Sequence, residues 1–451
     1  MEEQEVVNSE RLKNLLDTKQ YAILRSTMTE MNEADVAAAL DLMEDADSLK
    51  MFRLLPKDIA ADVFALMDED NQKYIILSLS EKEASDIIEN LMADDATDLL
   101  EEMPANIVKK ILSNASPATR KDINLLLQYP EDSAGSIMTV EYVDLRASMT
   151  VYDAIQRIKK IDLDSETVNI CYVLSNKRVL LGTVALRYLL LKPETSVISD
   201  IMNSNVISVT TTTDQEETAK MFQKYDFEAM PVVDNENRMV GIITIDDVVD
   251  IIEEEATEDI EKMAGIVPTE KPYLKTNLWD TYKKRMPWLL LLMISATFTG
   301  AIISKFESAL AAYVVLTAYI PMLMDTGGNA GSQASVSIIR SLSLGDIRFP
   351  DIFRVIWKEV RVAVMCGITL SCCNFIKLML LDKVAMNVAL VVSLTLVIIV
   401  IFSKIVGCTL PMIAEKVGFD PAVMASPLIT TIVDALSLTV YFNLATRILN
   451  I

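Results

Sequence analysis

Five apolar stretches in the last third of this chain constrain its fold more than any other feature, because each is near the roughly 20 residues a helix needs to cross a bilayer. Residues 286–304 are uncharged, 308–339 carry only Asp325, 362–381 only Lys377, and 421–446 only Asp434; 384–403 are uncharged and continue past Lys404 to Ala414. Hydrocarbon offers backbone amides no partner, so such stretches must pair them internally, as helices. The expectation is an α-helical membrane domain with five transmembrane helices. Lys283, Lys284, Arg285, Arg340, Arg348, Arg354, Lys358, Arg361, Lys404 and Lys416 fall on one side of these spans, against Lys305, Lys377, Lys383 and Arg447 on the other. Positive charge favours the cytoplasm, so the N-terminal part is expected inside the cell membrane and the C-terminus outside. The acidic opening Met1-Glu2-Glu3 does not read as a signal peptide.

The other part of the chain is chemically opposite. Residues 1–270 hold 54 acidic against 25 basic side chains, a net of −29, while 271–451 carry a net of +6. Such an acidic segment is expected to be soluble, to repel nucleic acid and to attract cations, and its own repulsion opposes compaction unless counter-ions neutralise it. The chain has no histidine. That excludes HExxH metal chemistry, Ser-His-Asp catalysis and the usual imidazole sites for zinc, nickel or copper, and no enzyme is expected. Carboxylates and carbonyls suit magnesium, calcium or manganese. Of the five cysteines only Cys171 precedes the spans, and no disulfide framework or CxxC site emerges.

Two repeats organise the acidic part. Leu42-Met43, Leu66-Met67 and Leu91-Met92 recur at intervals of 24 and 25 residues, while Pro56, Ser80 and Pro104 recur every 24, each opening a helix. Ser80-x-x-Glu83 reads as a capping box, and the Leu-Met pairs read as core. Stacked short helices of this period predict an all-α superhelical N domain over 1–130. From residue 137 the period changes: Ile137-Met138-Thr139 and Ile201-Met202-Asn203 each start a unit of strand, helix, strand pair and glycine strand, 181–184 and 240–243. These units resemble a tandem pair of CBS domains, 131–200 and 201–252, an α/β fold. CBS pairs often bind adenosine nucleotides through Ser/Thr-x-x-Asp after the glycine strand. The second copy has Thr244-Ile245-Asp246-Asp247, whereas the first has Ala185-Leu186-Arg187-Tyr188 with Tyr in place of the Asp, which counts against the ATP or other adenosine nucleotide that the resemblance otherwise implies.

From Asp246 to Lys262 acids alternate with Val248, Val249, Ile251, Ile252 and Ile260, which predicts a helix with one packed side, the core of a long acidic connecting helix assigned to 246–275. Like charges such as Glu254 with Glu258 oppose a helix by roughly 0.2–0.5 kcal/mol each. A bound divalent cation reverses that sign; a solvated acidic linker is the alternative. In the membrane part, 321–333 hold Gly327-xxx-Gly331, suited to close helix approach, and the polar Asp325, Thr326, Asn329, Ser332 and Gln333, suited to a wet interface. Asp434 is the sharpest signal, since an ionised Asp at mid-bilayer costs roughly 2.5–3.5 kcal/mol and belongs in a bundle interior, a wet cavity or beside a cation.

The motifs Gly327-Gly328-Asn329-Ala330-Gly331-Ser332-Gln333, Asp420-Pro421-Ala422 and 427–434, ending in Asp434, together with the domain order, resemble the MgtE family of magnesium transporters. The resemblance implies a membrane domain over 276–451, a homodimer in the lipid bilayer, and a magnesium pathway along the dimer axis. Its pore carboxylate maps onto Asp434, with Thr430 and Ser426 lining the path about one turn and two turns earlier, and Asp325 and Asn329 join them as candidate polar pore residues. Ser426 replaces an Asn of some members, and Ala435-Leu436-Ser437 departs from the glycine that often follows. By the same mapping, cytosolic magnesium binds Asp214, Glu216, Asp226, Asp247, Asp250, Glu255, Glu258 and Asp259, with Asp62, Asp94, Asp95 and Asp98 in the N domain. Other divalent cations, or a sensor that does not transport, are the alternatives; an anion pathway is disfavoured by Asp434 and Asp325.

Overall fold

The computed structural model describes residues 2–161, 165–269, 273–274, 276–424 and 426–450. The chain forms two compact units, Met1–Ile251 and Ile252–Ile451.

The first unit opens with ten helices between Glu2 and Leu126. Helices begin at Glu33, Lys57, Glu81 and Ala105, and alternate ones at Asp45, Glu69, Ala93 and Pro117, so both series keep the 24-residue spacing. Pro56, Ser80 and Pro104 are the N-caps of their helices. Ser80 Oγ accepts from Glu83 N at 3.3 Å while Glu83 Oε2 accepts from Ser80 N at 2.8 Å, which satisfies two otherwise orphaned donors. Only one member of each Leu-Met pair is fully in the core: Met43, Met67 and Leu91 are buried, whereas Leu42 and Leu66 are exposed. The helix turns there, and adjacent residues leave on opposite sides.

Two three-stranded sheets follow with the same order. In the first, β1 (Tyr142–Arg146) runs parallel to β2 (Thr167–Leu174), which pairs antiparallel with β3 (Leu180–Ala185); β4 (Val209–Thr210), β5 (Ala229–Val233) and β6 (Met239–Thr244) repeat the pattern. The opening tripeptides cross over. Thr139 pairs with Ile242 of β6, and Asn203 with Thr183 of β3, so each copy begins on the glycine strand of the other. A Cβ on Gly241 would lie 2.8 Å from Met138 Sδ, and one on Gly182 2.9 Å from Met202 Sδ; the glycines make room for those methionines. Tyr172, Leu174, Leu180, Val233, Met239 and Ile242 close a core common to both sheets.

The acidic run forms α1 (Ile245–Met263), with Val248 and Ile251 buried. It stops at Met263, and Gly265 takes φ +70. In the second unit, α2 (Leu278–Lys305), α3 (Ile320–Ser343), α4 (Ile352–Leu380), α5 (Met386–Val417) and α6 (Ser426–Leu449) carry the apolar stretches. Among the described residues, four helical segments are long and apolar enough to cross a membrane: Leu278–Lys305, Phe349–Leu380, Met386–Val417 and Pro421–Leu449. The expected span 308–339 is not one helix. A short helix, Glu307–Ala312, and a 3-10 segment, Val314–Tyr319, precede α3, which starts at Ile320 with Pro321 in its first turn. Proline tolerates that position because its missing N–H has no partner in a first turn.

Helix α5 runs through the middle of this unit, with α3, α4 and α6 packed on it. Its buried face includes Val388, Val391, Val392, Leu396 and Ile399, which meet Tyr441 and Phe442 of α6. Phe306 stacks on Phe442 at 4.9 Å, and Tyr441 donates to the Leu316 carbonyl at 3.0 Å. By contrast α2 has no fully buried residue; Ile302 and Ile303 near its end pack against the core of Tyr441 and Phe442, and much of its remaining apolar surface is exposed. Lys404, counted with the flanking positive charges by sequence, is instead buried inside α5 and pairs with Glu359 of α4 at 3.5 Å. That removes it from the orientation argument. An ammonium so placed is held by its carboxylate, not by the membrane surface.

Candidate functional site

Glycines bring α3 onto α5 and α6. A Cβ on Gly327 would stand 2.9 Å from Val433 Cγ1 and 3.0 Å from Ser437 Oγ; on Gly328, 3.0 Å from Thr430 Cγ2; on Gly331, 2.8 Å from Ile429 Cγ2. Gly407 of α5 backs directly on the Gly331 peptide. The close-approach reading of Gly327-xxx-Gly331 therefore describes the packing. The polar groups of the same helix divide by face: Asp325, Asn329 and Gln333, one turn apart each, are exposed, while Thr326 and Ser332 are half-buried. Asp434 on α6 is half-buried, and among the described residues Asp325 is a charged group close enough to act on it electrostatically. Thr430, one turn before Asp434, donates its hydroxyl to the Pro427 carbonyl at 2.9 Å, which turns the oxygen lone pairs outward as acceptors. Ser437, one turn after, is buried with no hydrogen-bond partner among the described residues. The side chain of Ser426 lies outside the described residues.

At the foot of this bundle Lys262 of α1 reaches Glu258 at 2.5 Å and Asp420 at 2.7 Å. Asp420 in turn accepts from Ala422 N at 2.7 Å and so caps the turn that leads into α6. Met263 packs on Ile339 and Ala422. Glu258, expected as a metal ligand, thus already faces a cation of its own chain; Glu255 and Asp259 are half-buried on the same helix, and Asp250 is exposed.

A second acidic locus lies in the first unit. Asp94 and Asp95, on the helix Ala93–Glu101, interact electrostatically with Asp246, Asp247, Glu141 and Glu166. Burial first, then these neighbours, push Asp95 up to about 6 and Glu166 up to about 7. Asp247 rises to about 6, chiefly by burial, although Thr244 Oγ1 donates to it at 2.9 Å and works the other way. Asp94 is pushed well up by the same two causes. Among the described residues, no three acidic or thiol groups converge tightly enough to hold a bare metal ion.

The remaining expected ligands lie apart. Asp214 caps the helix Gln215–Tyr225, accepting from Glu216 N at 2.9 Å; Glu216 pairs with Lys220 at 2.8 Å; Asp226 ends the helix in left-handed geometry, φ +53. Asp62 and Asp98 are exposed. Sequence reasoning missed Glu141 and Glu166. The signal was topological: parallel pairing of Tyr142 with Thr167 sets the residues before each strand side by side, and Glu166 N donates to the Glu141 carbonyl at 2.9 Å.

Apolar helices locked on glycines around a carboxylate, joined to a large acidic half built from a helical array and a CBS pair, define a multi-pass membrane protein of the transport class. The family model described as MgtE, divalent cation transporter, matches residues 320–444; that of the MgtE intracellular N domain matches 31–132, and that of the CBS domain 198–254. The chain is 38% identical over 337 residues to a magnesium transporter MgtE of Thermus thermophilus, covering 74% of each chain, and 36% identical over 339 residues to one of Bacillus subtilis, covering 75% of this chain and 74% of that one. A solved structure described as the cytosolic domain of the Mg2+ channel MgtE in complex with ATP is 34% identical, with TM-score 0.52, over 54% of this chain and 99% of its own. The chain belongs to the MgtE family.

Proposed function

We propose that this protein is a homodimeric magnesium transporter of the cytoplasmic membrane, with Asp434 as its pore carboxylate and cytosolic magnesium as the ligand that closes it. The observation that carries the reading is Asp434 within electrostatic reach of Asp325, on two helices that glycines press together. The names of the relatives support magnesium as the cargo. Magnesium dehydrates reluctantly and keeps several waters, so one carboxylate per subunit, with Thr430 and Ser426 acting on the water shell, suits a hydrated ion that must also leave. Helix α3 completes five spans, with the acidic half in the cytoplasm and the C-terminus outside; its open row of Asp325, Asn329 and Gln333 faces the second subunit across the pathway.

Residues 1–130, 131–200, 201–252, 246–275 and 276–451 act as N domain, two CBS copies, connecting segment and membrane domain. Hydrated magnesium, held through its waters by Asp94, Asp95, Glu141, Glu166, Asp246 and Asp247, stabilises the compact acidic half when the ion is plentiful. The ion shifts the equilibrium only because it binds that state better. Asp214, Glu216, Asp226, Asp250, Glu255 and Asp259, with Asp62 and Asp98, add a weaker acidic field. ATP is a second ligand for Thr244 and Asp247, supported by the ATP complex of the related cytosolic domain. The test is magnesium uptake by liposomes holding wild type or Asp434→Asn, run against calcium, manganese and cobalt. Uptake is lost in a folded, dimeric variant; parental uptake refutes the pore assignment, and no magnesium uptake by wild type leaves a sensor.

A further inference from the structure

Where α3 and α5 end and α4 begins, a cavity of about 440 Å³ opens, lined by Leu342, Ile347, Phe349 and Pro350 with Arg348, Glu415 and Lys416. We propose that it binds the headgroup of an anionic phospholipid, with the phosphate between Arg348 and Lys416. The inference goes beyond ion transport and does not depend on it.

Three observations carry it. The first is charge: two cations and one carboxylate line the cavity, and among the described residues neither the Arg348 guanidinium nor the Lys416 ammonium has a carboxylate within 4.0 Å, the nearby Asp351 carboxylate accepting instead from the Arg348 backbone N at 3.3 Å. Net positive lining complements one phosphate, and a guanidinium presents the fork that phosphate oxygens fit. Glu415 repels a bare phosphate but can accept from the hydroxyls of a phosphoglycerol headgroup. The second is order: the Lys416 ammonium lies 4.1 Å from the centre of the Phe349 ring, which holds the charge at the cavity wall before any ligand arrives. The third is position. The first turns of α4 expose Phe353 and Trp357 beside Arg354, Lys358 and Arg361, and Arg361 stacks over Trp357 at 5.9 Å. Exposed aromatics among basic residues at the end of a span mark the headgroup level of a bilayer. The apolar wall of Leu342, Ile347 and Pro350 then takes the glycerol and the first acyl carbons.

The experiment titrates the full-length protein in detergent micelles with phosphatidylglycerol or phosphatidylcholine and reads bound lipid by native mass spectrometry. Wild type favours phosphatidylglycerol. One charge near an anionic headgroup corresponds to about fivefold in affinity, so Arg348→Gln and Lys416→Gln each weaken it about fivefold and the double variant roughly thirtyfold. Arg348→Lys keeps most of the binding, and Lys305→Gln, at the other end of the helices, leaves it unchanged. Added salt weakens phosphatidylglycerol binding by wild type and spares phosphatidylcholine, a reading that needs no variant to fold. Equal binding of the two lipids, full phosphatidylglycerol affinity in the double variant, or saturation by inorganic phosphate with no gain from the lipid overturns the proposal.

Discussion

Glu359 and Lys404 give the most quantitative test of the membrane unit. Their side chains are 13% and 7% exposed and 3.5 Å apart on α4 and α5. At an effective dielectric of about 20, unit charges at that distance attract by roughly 5 kcal/mol, and the desolvation of the two ions is of similar size. The pair is therefore nearly neutral as a whole and costly to halve. Lys404→Met alone strands a buried carboxylate, and Glu359→Leu alone strands a buried ammonium. Each single change should cost about 3–5 kcal/mol, while the double change should fall within about 1 kcal/mol of wild type. The assay is a double-mutant cycle on reversible unfolding in mixed micelles, with dimer content followed in parallel. Additive single losses, or a Lys404→Met variant as stable as wild type, would show that water or lipid headgroups already solvate the pair and that the buried reading of this contact is wrong.

Gly331→Ala puts a methyl 2.8 Å from Ile429 Cγ2 and 3.2 Å from the Ser403 carbonyl, so it should destabilise the membrane unit by about 1–3 kcal/mol, whereas Gly300→Ala meets nothing within 4 Å and should be neutral or mildly stabilising, as thermal unfolding in micelles will report. Raised carboxylates favour the compact first unit fully below about pH 4 and lose that contribution as pH climbs through about 6 for Asp95 and Asp247 and about 7 for Glu166. Without magnesium, hydrogen-exchange protection of 93–101 and 141–146 should fall between pH 5 and 8, and saturating magnesium should flatten that fall; a profile indifferent to magnesium would remove the ion from this locus. Removing residues 1–130, or changing Glu258 and Asp259 together to Ala, should leave magnesium current open at high cytoplasmic magnesium, measured on excised patches; an unchanged inhibition midpoint would reduce α1 to a solvated linker.

Features that depend on neighbours along the chain are legible in the sequence itself. Ser80 and Glu83 form their capping box because three residues of helix bring them together, and the 24-residue helix spacing survives because each turn repeats the same local chemistry. Thr244 and Asp247, three apart at a helix start, bond as their spacing suggests. Features made by chain crossing are not. Met138 fills the space beside Gly241, about a hundred positions on, and nothing in the spacing of Ile137-Met138-Thr139 says which sheet it joins. Glu141 and Glu166 carry no motif, and only strand pairing makes them neighbours of Asp95. Lys404 misled for a related reason: hydropathy treats a charge between apolar runs as a boundary, and only the face it shares with Glu359 makes it an interior residue. Asp434 stands out in the sequence because an isolated acid in a long apolar run has few physical excuses, while its proximity to Asp325 comes only from the packing of α3 on α6.

The exposed row of Asp325, Asn329 and Gln333 on α3 bears on how the protein is made. If α3 spans the bilayer as proposed, a newly inserted subunit carries these groups at the depth of acyl chains, where amide and carboxylate find little to bond. On the dimeric reading, a second copy supplies their cover, so synthesis of one chain leaves an unfinished object in the bilayer. A subunit left single would keep that polar row uncovered among acyl chains, so on the same reading assembly completes what insertion alone leaves undone.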